Sequence, residues 1–202
     1  MKNRINKIHF TSDTHFGHRN IMKYANRAFN DVDHMDESLI ASWNSVVDVD
    51  DEVYHLGDVA LTDEKRTNKI LNRLNGKIHL ITGNHEKSVL RKEYNRDRFE
   101  WIRGIHELYV DDEDVKGKGQ MFVLCHYSMR VWNKSHHGSI HLYGHSHDSL
   151  DSKGQEWGKS MDVGVDAANR LLNDYRPFSY REIVNIMKKR DLHEIDHHVA
   201  KR

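Results

Sequence analysis

Side chains that commonly bind metals follow five short apolar segments of this chain. Each segment is rich in β-branched or aromatic residues, which predicts a β-strand. The candidate ligands that follow these segments are Asp13, His15, Asp58, Asn84, His126, His145 and His147. This donor set combines carboxylates, an amide and imidazoles without a thiolate, so it suits Mn, Fe or Zn better than Ca. A catalytic zinc takes only three protein ligands and a water, so the larger set predicts two metals that share a bridging carboxylate.

The elements that must position these side chains alternate between strands and helices. The predicted strands cover 7–12, 53–57, 77–83, 120–125 and 139–144. Apolar residues at helical spacing predict helices over 38–47 and 62–74, and a capping box predicts a third over 179–187. The charged segment 110–119 is typical of an exposed hairpin tip. This order predicts an α/β fold in which all five strand ends meet at one edge of the sheet, where such folds place their sites.

Charge and composition narrow the classes of function. The chain has 202 residues, with 31 Lys and Arg against 31 Asp and Glu, so its formal net charge is zero. This balance argues against broad non-specific binding of nucleic acid through a basic surface. A single cysteine excludes a disulfide framework and a cysteine-based zinc cluster. The 17 histidines exceed the roughly ten expected from even usage of the amino-acid types, which is a surplus of metal-capable side chains.

The length predicts a single domain over 1–202, in which 191–202 form a polar, fraying tail. We assign no function to the tail histidines His193, His197 and His198. No secretory signal is recognisable, and no stretch approaches the roughly 20 apolar residues of a membrane span. We therefore expect a cytoplasmic protein without membrane partners. The sequence does not indicate an oligomeric state.

The candidate ligands lie in five ordered motifs that resemble a known superfamily. The motifs are Asp13-Thr-His15, Gly57-Asp58, Gly83-Asn84-His85-Glu86, His126 and Gly144-His145-Ser146-His147. Their order resembles the signature of the calcineurin-like metallophosphoesterases, and the variant found here is similar to the small bacterial and phage-encoded phosphoesterases. The resemblance implies a four-layer α/β/β/α sandwich. It also implies two divalent metal ions, Mn²⁺ first and Fe or Zn as alternatives.

The resemblance also implies a role for each motif residue. One metal would be held by Asp13, His15, Asp58 and His147. The other would be held by Asp58, Asn84, His126 and His145, so that Asp58 bridges the two. His85 would not bind a metal but would assist departure of the leaving oxygen. The resemblance therefore makes Asp58, Asn84 and His85 the candidate catalytic residues.

Other residues near the motifs are weaker candidates. His18 and Arg19 follow the first motif closely, and Arg130 follows the fourth, so these three are candidate substrate contacts. Four further histidines lie inside the predicted strands, and we expect them to be structural: His9, His55, His79 and His141. Protein phosphatases of this superfamily extend the second motif with Asp and Arg. Here 59–62 contain neither, which argues against a protein phosphatase.

These observations predict a dinuclear metal-dependent phosphohydrolase. We expect a phosphodiesterase that acts on a small, nucleotide-like phosphate ester through a metal-bridging hydroxide. A nuclease acting on DNA or RNA is one alternative, although zero net charge disfavours an extended nucleic-acid groove. A non-catalytic binding scaffold of the same fold is the other alternative.

Overall fold

The chain forms a mixed α/β fold with two β-sheets. A computed structural model describes residues 5–87, 89–115, 119–155 and 157–192. The strands are β1 Ile8–Thr11, β2 Glu52–His55, β3 Lys77–Ile81, β4 Phe99–Arg103, β5 Ile105–Asp111, β6 Gly119–Cys125, β7 Ile140–Tyr143, β8 Ser160–Asp162 and β9 Phe178–Ser179. The α-helices are α1 Ile21–Tyr24, α2 Val32–Asn44, α3 Glu64–Leu71, α4 Glu93–Arg96, α5 Val165–Leu172 and α6 Tyr180–Met187.

Each sheet contains both parallel and antiparallel pairs. The first sheet has the strand order β4-β3-β2-β1-β9, in which only the β1–β9 pair is antiparallel. The second sheet has the order β5-β6-β7-β8, in which only the β5–β6 pair is antiparallel. The five predicted strands are therefore confirmed as β1, β2, β3, β6 and β7. The β5–β6 pair confirms the predicted hairpin.

The prediction that 110–119 are exposed is wrong for Val110 and Asp112, which are buried. Asp112 is held there because it accepts the hydroxyl of Tyr180 at 2.9 Å and pairs with Arg181. Residues 116–118 lie outside the described residues.

The prediction that all five strand ends meet at the edge of one sheet is wrong. Three of the strands belong to the first sheet and two to the second, because the chain changes sheets at Gly104, between β4 and β5. The carboxyl ends still converge, since a parallel bridge joins Ser12, after β1, to Gly164, after β8. The N–H of Val165 also donates to the carbonyl of Ser12 at 3.0 Å. The strand ends therefore meet at the junction of two sheets and not at the edge of one.

Capping residues decide where the predicted helices begin. The helix predicted over 38–47 begins at Val32, because the Asp31 side chain accepts the N–H of His34 at its amino terminus. The helix predicted over 62–74 is the shorter α3, and Asp63 caps it. The capping box of Ser179 and Glu182 at the start of α6 is confirmed.

Two apolar clusters build the core. The first cluster joins the sheets, and in it the ring of Phe122 lies 5.1 Å from that of Phe10 and 5.7 Å from that of Tyr180. The second cluster packs α2 and α3 on the first sheet, where Trp43 is buried with Val53. Side chains alternate between the faces of a strand, so neighbouring residues of the first sheet serve different clusters. No helix in the described part of the chain is long and apolar enough to cross a membrane.

The contact between the sheets should dominate stability. Replacing Phe122, which is fully buried, by Ala should lower the free energy of unfolding by about 3–5 kcal/mol, because a large cavity opens between the sheets. Tyr109→Ala on the neighbouring strand is the control, since that side chain is 58% exposed and its loss should change stability by about 0.5 kcal/mol or less. Urea denaturation of both variants measures the difference. Equal losses would contradict this account of the core.

Candidate metal centre

The turns that carry the candidate ligands have an unusual backbone. In the described residues, nine non-glycine positions have a positive φ, and five of them are predicted ligands. These five are Asp13, His15, Asp58, His145 and His147, with φ between 47° and 65°. A side chain with a Cβ disfavours this left-handed conformation by about 1–2 kcal/mol. Such strain persists where the surrounding structure holds it, and it concentrates at functional sites.

The structure brings the predicted ligands together as two groups. Asp13, His15 and His147 form one group, and Asp58, His126 and His145 form the other; the potential ligand atoms within each group lie within 4.8 Å of one another. Asp58 belongs to the second group but also reaches the first. Its Oδ2 is 3.7 Å from Nε2 of His126, in its own group, and 3.5 Å from Nε2 of His15, in the other. The Oδ1 atom of Asn84 is 3.1 Å from the same His126 nitrogen, which places Asn84 with the second group.

Two buried atoms of the first group have no hydrogen-bond partner among the described residues. They are Oδ1 of Asp13 and Nε2 of His15, which lie 3.9 Å apart. Burial, followed by the charges of His147 and Arg27, lowers the pKa of His15 to about 2, so its imidazole is neutral. Buried polar atoms are normally satisfied, and a cation placed between these two atoms would be coordinated by the carboxylate oxygen and by the ring nitrogen in its unprotonated form. The first group therefore fits a divalent metal ion.

His126 also fits the second group to a metal ion, because one of its ring nitrogens faces other hydrogen-bond acceptors. Its Nδ1 donates to the carbonyl of Leu56 at 2.7 Å, since a carbonyl can only accept. Burial lowers the pKa of His126. The neutral ring then points the lone pair of Nε2 toward two further acceptors, the Oδ1 of Asn84 and the carboxylate of Asp58. A cation converts this repulsive arrangement of acceptors into coordination.

A buried ion pair orients His147 and was not predicted from the sequence. Arg27 donates to both carboxylate oxygens of Asp166, at 2.7 and 2.9 Å, and to the carbonyls of Asp13 and Thr14, at 2.7 and 3.0 Å. The second Asp166 oxygen lies 2.8 Å from Nδ1 of His147, which turns the opposite ring nitrogen toward the first group. Burial alone would lower the pKa of His147, but the hydrogen bond to Asp166 and the negative charges of Asp13 and Asp166 raise it.

Asp162 organises the loop that carries His145 and His147, and it too was not predicted. Its carboxylate accepts the hydroxyl of Ser146 at 2.5 Å and the N–H groups of Asp148 and Gly164 at 2.9 and 2.7 Å. Burial raises the pKa of Asp162 to about 6. Burial and the charge of Asp162 raise the pKa of Asp13 well above its ordinary value. Excess negative charge at this position favours a bound cation.

The segments after β2 and β3 approach each other so closely that Gly57 has no room for a side chain. A Cβ on Gly57, whose φ is +104°, would lie 2.6 Å from both the N atom of Gly83 and Nδ1 of His126. Glu86 joins the two segments, because its carboxylate accepts the N–H groups of Val59 and Gly83. The N–H of His85 donates to Oδ1 of Asp58 at 2.9 Å. These contacts hold Asp58 in place and position His85 at the opening of the site.

An open cleft of about 410 Å³ lies over both groups. Its lining residues are His15, His18, Ile21, Tyr24, Asp58, Leu61, Asn84, His85, His145 and His147. His85 is 39% exposed, and its Nε2 lies 4.0 Å from Oδ2 of Asp58. Of the predicted substrate contacts, His18 lines this cleft, whereas Arg19 and Arg130 do not. Arg19 is exposed, and the Arg130 guanidinium lies 5.4 Å from the ring of Trp157.

The four strand histidines belong to neither group of ligands. His9 pairs with Asp51, His79 with Glu52, and His141 with the carbonyl of Val123. His55 accepts the N–H of Gly57 at Nδ1, and its Nε2 is 3.0 Å from the hydroxyl of Thr14, so it links the turns after β1 and β2. All four are buried and hydrogen-bonded, as expected of structural residues. The tail histidines at 193, 197 and 198 lie outside the described residues.

The chain is thus a mixed α/β protein with two sheets, and two groups of predicted metal ligands lie where the sheets meet. MJ1445, an uncharacterised protein of Methanocaldococcus jannaschii, is 35% identical over 188 residues, which cover 91% of this chain and 92% of that protein. The chain therefore belongs to the family of MJ1445. The Gene 66 protein of Mycobacterium phage L5 is 28% identical over 81% of this chain and 88% of its own length. No protein-family model matches the chain.

A solved structure shares the fold. The crystal structure of AQ665, a protein of unknown function from Aquifex aeolicus, matches with a TM-score of 0.62 at 22% identity. The match covers 89% of this chain and 98% of that one. This similarity shows a common fold.

Removing the buried guanidinium should destabilise the protein strongly. Arg27→Met should lower the free energy of unfolding by about 3–5 kcal/mol, because it leaves the Asp166 carboxylate and two backbone carbonyls buried without their donor. Adding Asp166→Leu should recover part of this loss. The control is Arg73→Met, whose bidentate pair with Glu37 is exposed and should contribute about 1 kcal/mol or less.

Guanidinium chloride denaturation in the presence of EDTA separates this effect from any change in metal binding. Similar losses for Arg27→Met and Arg73→Met would refute the role assigned to the buried pair.

Proposed function

We propose that this protein is a dinuclear metal-dependent phosphohydrolase of the calcineurin-like metallophosphoesterase type. The observation that carries the proposal is the position of Asp58 between two separate ligand groups, with Oδ2 at 3.5 and 3.7 Å from one imidazole nitrogen of each. A carboxylate shared by two such groups is the arrangement that two neighbouring metals require. The two sheets, with helices packed against them, support the corresponding α/β/β/α sandwich.

The proposed ligand sets follow the two groups. Asp13, His15 and His147 would hold one ion, and His126, His145 and Asn84 the other, with Asp58 shared. Divalent ions in such a pair activate water as a nucleophile and neutralise charge on the phosphoryl oxygens, and the donor set favours Mn²⁺, with Fe or Zn as alternatives. Arg27 and Asp166 contribute by keeping His147 and the turn after β1 in place before any ligand arrives.

His85 is the proposed proton donor to the leaving oxygen. Its N–H is fixed on Asp58, whereas its ring lies in the open part of the cleft. A histidine at this position can protonate an alkoxide as it departs, which matters most when the leaving alcohol is a weak acid. The ring is exposed enough to meet a substrate and close enough to the ligand groups to reach a bound phosphate.

The cleft supports a small phosphate ester rather than a polymer as the substrate. The chain is neutral overall, and none of the cleft-lining residues is Lys or Arg. Extended nucleic-acid binding depends on several such contacts to the phosphate backbone. A phosphodiesterase or phosphatase for small, nucleotide-like esters is therefore the activity we propose.

A panel of esters tests the proposed activity. The Mn²⁺-loaded protein should hydrolyse bis(p-nitrophenyl) phosphate or p-nitrophenyl phosphate, and EDTA should abolish turnover. Cleavage confined to oligonucleotides, with a steep dependence on salt, would favour the nuclease alternative. Bound metal without hydrolysis of any activated ester would favour a binding scaffold.

Loss of the His85 ring should separate metal binding from turnover. His85→Ala should keep its metal content but lower kcat for an alkyl phosphate ester by about 10²–10⁴-fold, because the departing alkoxide loses its proton donor. The loss should be much smaller for a p-nitrophenyl ester, whose leaving group needs no proton. His34→Ala, which removes an exposed histidine of α2, is the matched control. Full activity of His85→Ala on the alkyl ester would exclude the assigned role.

A further inference from the structure

Part of the cleft lies beyond the candidate ligands and is mainly apolar. His18, Ile21, Tyr24 and Leu61 line it, and we call these four residues the aromatic shelf. The shelf starts at a ligand, because the ring of His18 lies 5.3 Å from that of His15 and their Nδ1 atoms are 3.4 Å apart. The shelf is therefore continuous with the first ligand group.

The outer end of the shelf is an exposed tyrosine ring. Tyr24 is 75% exposed, and its ring meets His18 edge-on with the ring centroids 6.3 Å apart. The three rings of His15, His18 and Tyr24 thus lead from the candidate metal site to the solvent. An exposed aromatic face beside a binding cleft is a surface on which a planar group can stack.

The backbone beneath the ring is held firmly. Tyr24 ends the short helix α1, whose first residue, Ile21, is buried in the second apolar cluster. The N–H of Arg27 donates to the carbonyl of Met22 at 2.8 Å, and the Arg27 side chain is itself fixed on Asp166. The fixed backbone keeps the attachment point of the ring at one place beside the cleft, so only the side-chain torsions of Tyr24 are ordered when a ligand stacks on it.

The charges of the cleft restrict what the shelf can accept. None of the ten described lining residues is Lys or Arg, so the lining itself offers no ammonium or guanidinium group to a second anionic group on a ligand. A charged group placed against these side chains loses part of its hydration without gaining a partner, whereas a neutral ring gains contact area and releases water. The shelf is therefore suited to a neutral planar group.

We propose that the aromatic shelf binds a neutral, planar aromatic group of the substrate, such as an aryl ring or a nucleobase, by stacking on Tyr24. This inference rests on the proposed function, in which the phosphate of the same molecule binds between the ligand groups. It makes Tyr24 a specificity-determining residue. Phosphate esters with purely aliphatic substituents, or with a second anion at this position, bind more weakly than esters with a neutral aromatic group.

Non-hydrolysable phosphonates test the shelf without turnover. Isothermal titration calorimetry of the Mn²⁺-loaded protein should show that phenylphosphonate binds about tenfold more tightly than methylphosphonate, the ratio expected for one stacked ring. A carboxylate at the para position of the phenyl ring should weaken binding. Tyr24→Ala should remove the preference for the phenyl compound, whereas Tyr24→Phe should retain it. Tyr94→Ala, which removes a partly exposed tyrosine of α4, is the matched control and should retain it too.

The possible outcomes separate the two proposals. Equal binding of both phosphonates to the unmodified protein, or a preference that survives in Tyr24→Ala, would overturn the assignment of the shelf and leave the phosphohydrolase proposal intact. Failure of both phosphonates to bind, together with no hydrolysis of activated esters, would contradict the proposed function itself.

Discussion

The close approach of two buried carboxylates to several imidazole lone pairs is the constraint on which this structure depends. Asp13 and Asp58 are both buried where the two sheets meet. Ring nitrogens of the neutral His15 and His126 lie 3.5 to 3.9 Å from their oxygens. Carboxylates in this position repel one another, which favours either a proton on Asp13 or a cation between the groups. The protein nevertheless holds them in place with left-handed turns and buried hydrogen bonds, as expected of a site prepared for a ligand of opposite charge.

Contacts between distant parts of the chain hold these groups together. Arg27 and Asp166 are 139 residues apart in sequence, and their pair connects the turn after β1 to the helix after β8. The N–H of His145 donates to Oδ2 of Asp13 at 2.9 Å, which joins the two sheets at the site itself. Because each ligand group draws residues from both sheets, the geometry of the site depends on how the sheets pack. Fold stability and site geometry are therefore coupled.

The sequence predicted which side chains come together at the sheet junction better than it predicted what holds them there. Residue type and position at the ends of strands were enough to select Asp13, Asp58 and His126, because strand ends have strong local signals. Asp162 ends the three-residue strand β8, which the sequence pattern did not predict, and Asp166 acts through Arg27, which is 139 residues away. Local patterns also could not show that the chain changes sheets at Gly104.

The helix at 32–44 contains another residue whose role depends on tertiary contacts that the sequence does not reveal. Its predicted start at 38 lies six residues too late, because the helix begins at Val32, after the cap formed by Asp31. Asp36 is buried and binds the N–H of Gly17 at 2.9 Å and the guanidinium of Arg66 at 2.6 Å. An acidic residue suits a helix terminus and a buried ion pair equally well, and only tertiary contacts distinguish them.

Anomalous X-ray diffraction from crystals soaked in Mn²⁺ tests the central claim most directly, because it locates metal ions without reference to activity. Our account predicts two anomalous peaks on opposite sides of the Asp58 carboxylate, one beside His15 and His147 and the other beside His126 and His145. A single peak at this position, or manganese bound only elsewhere on the protein, would contradict it.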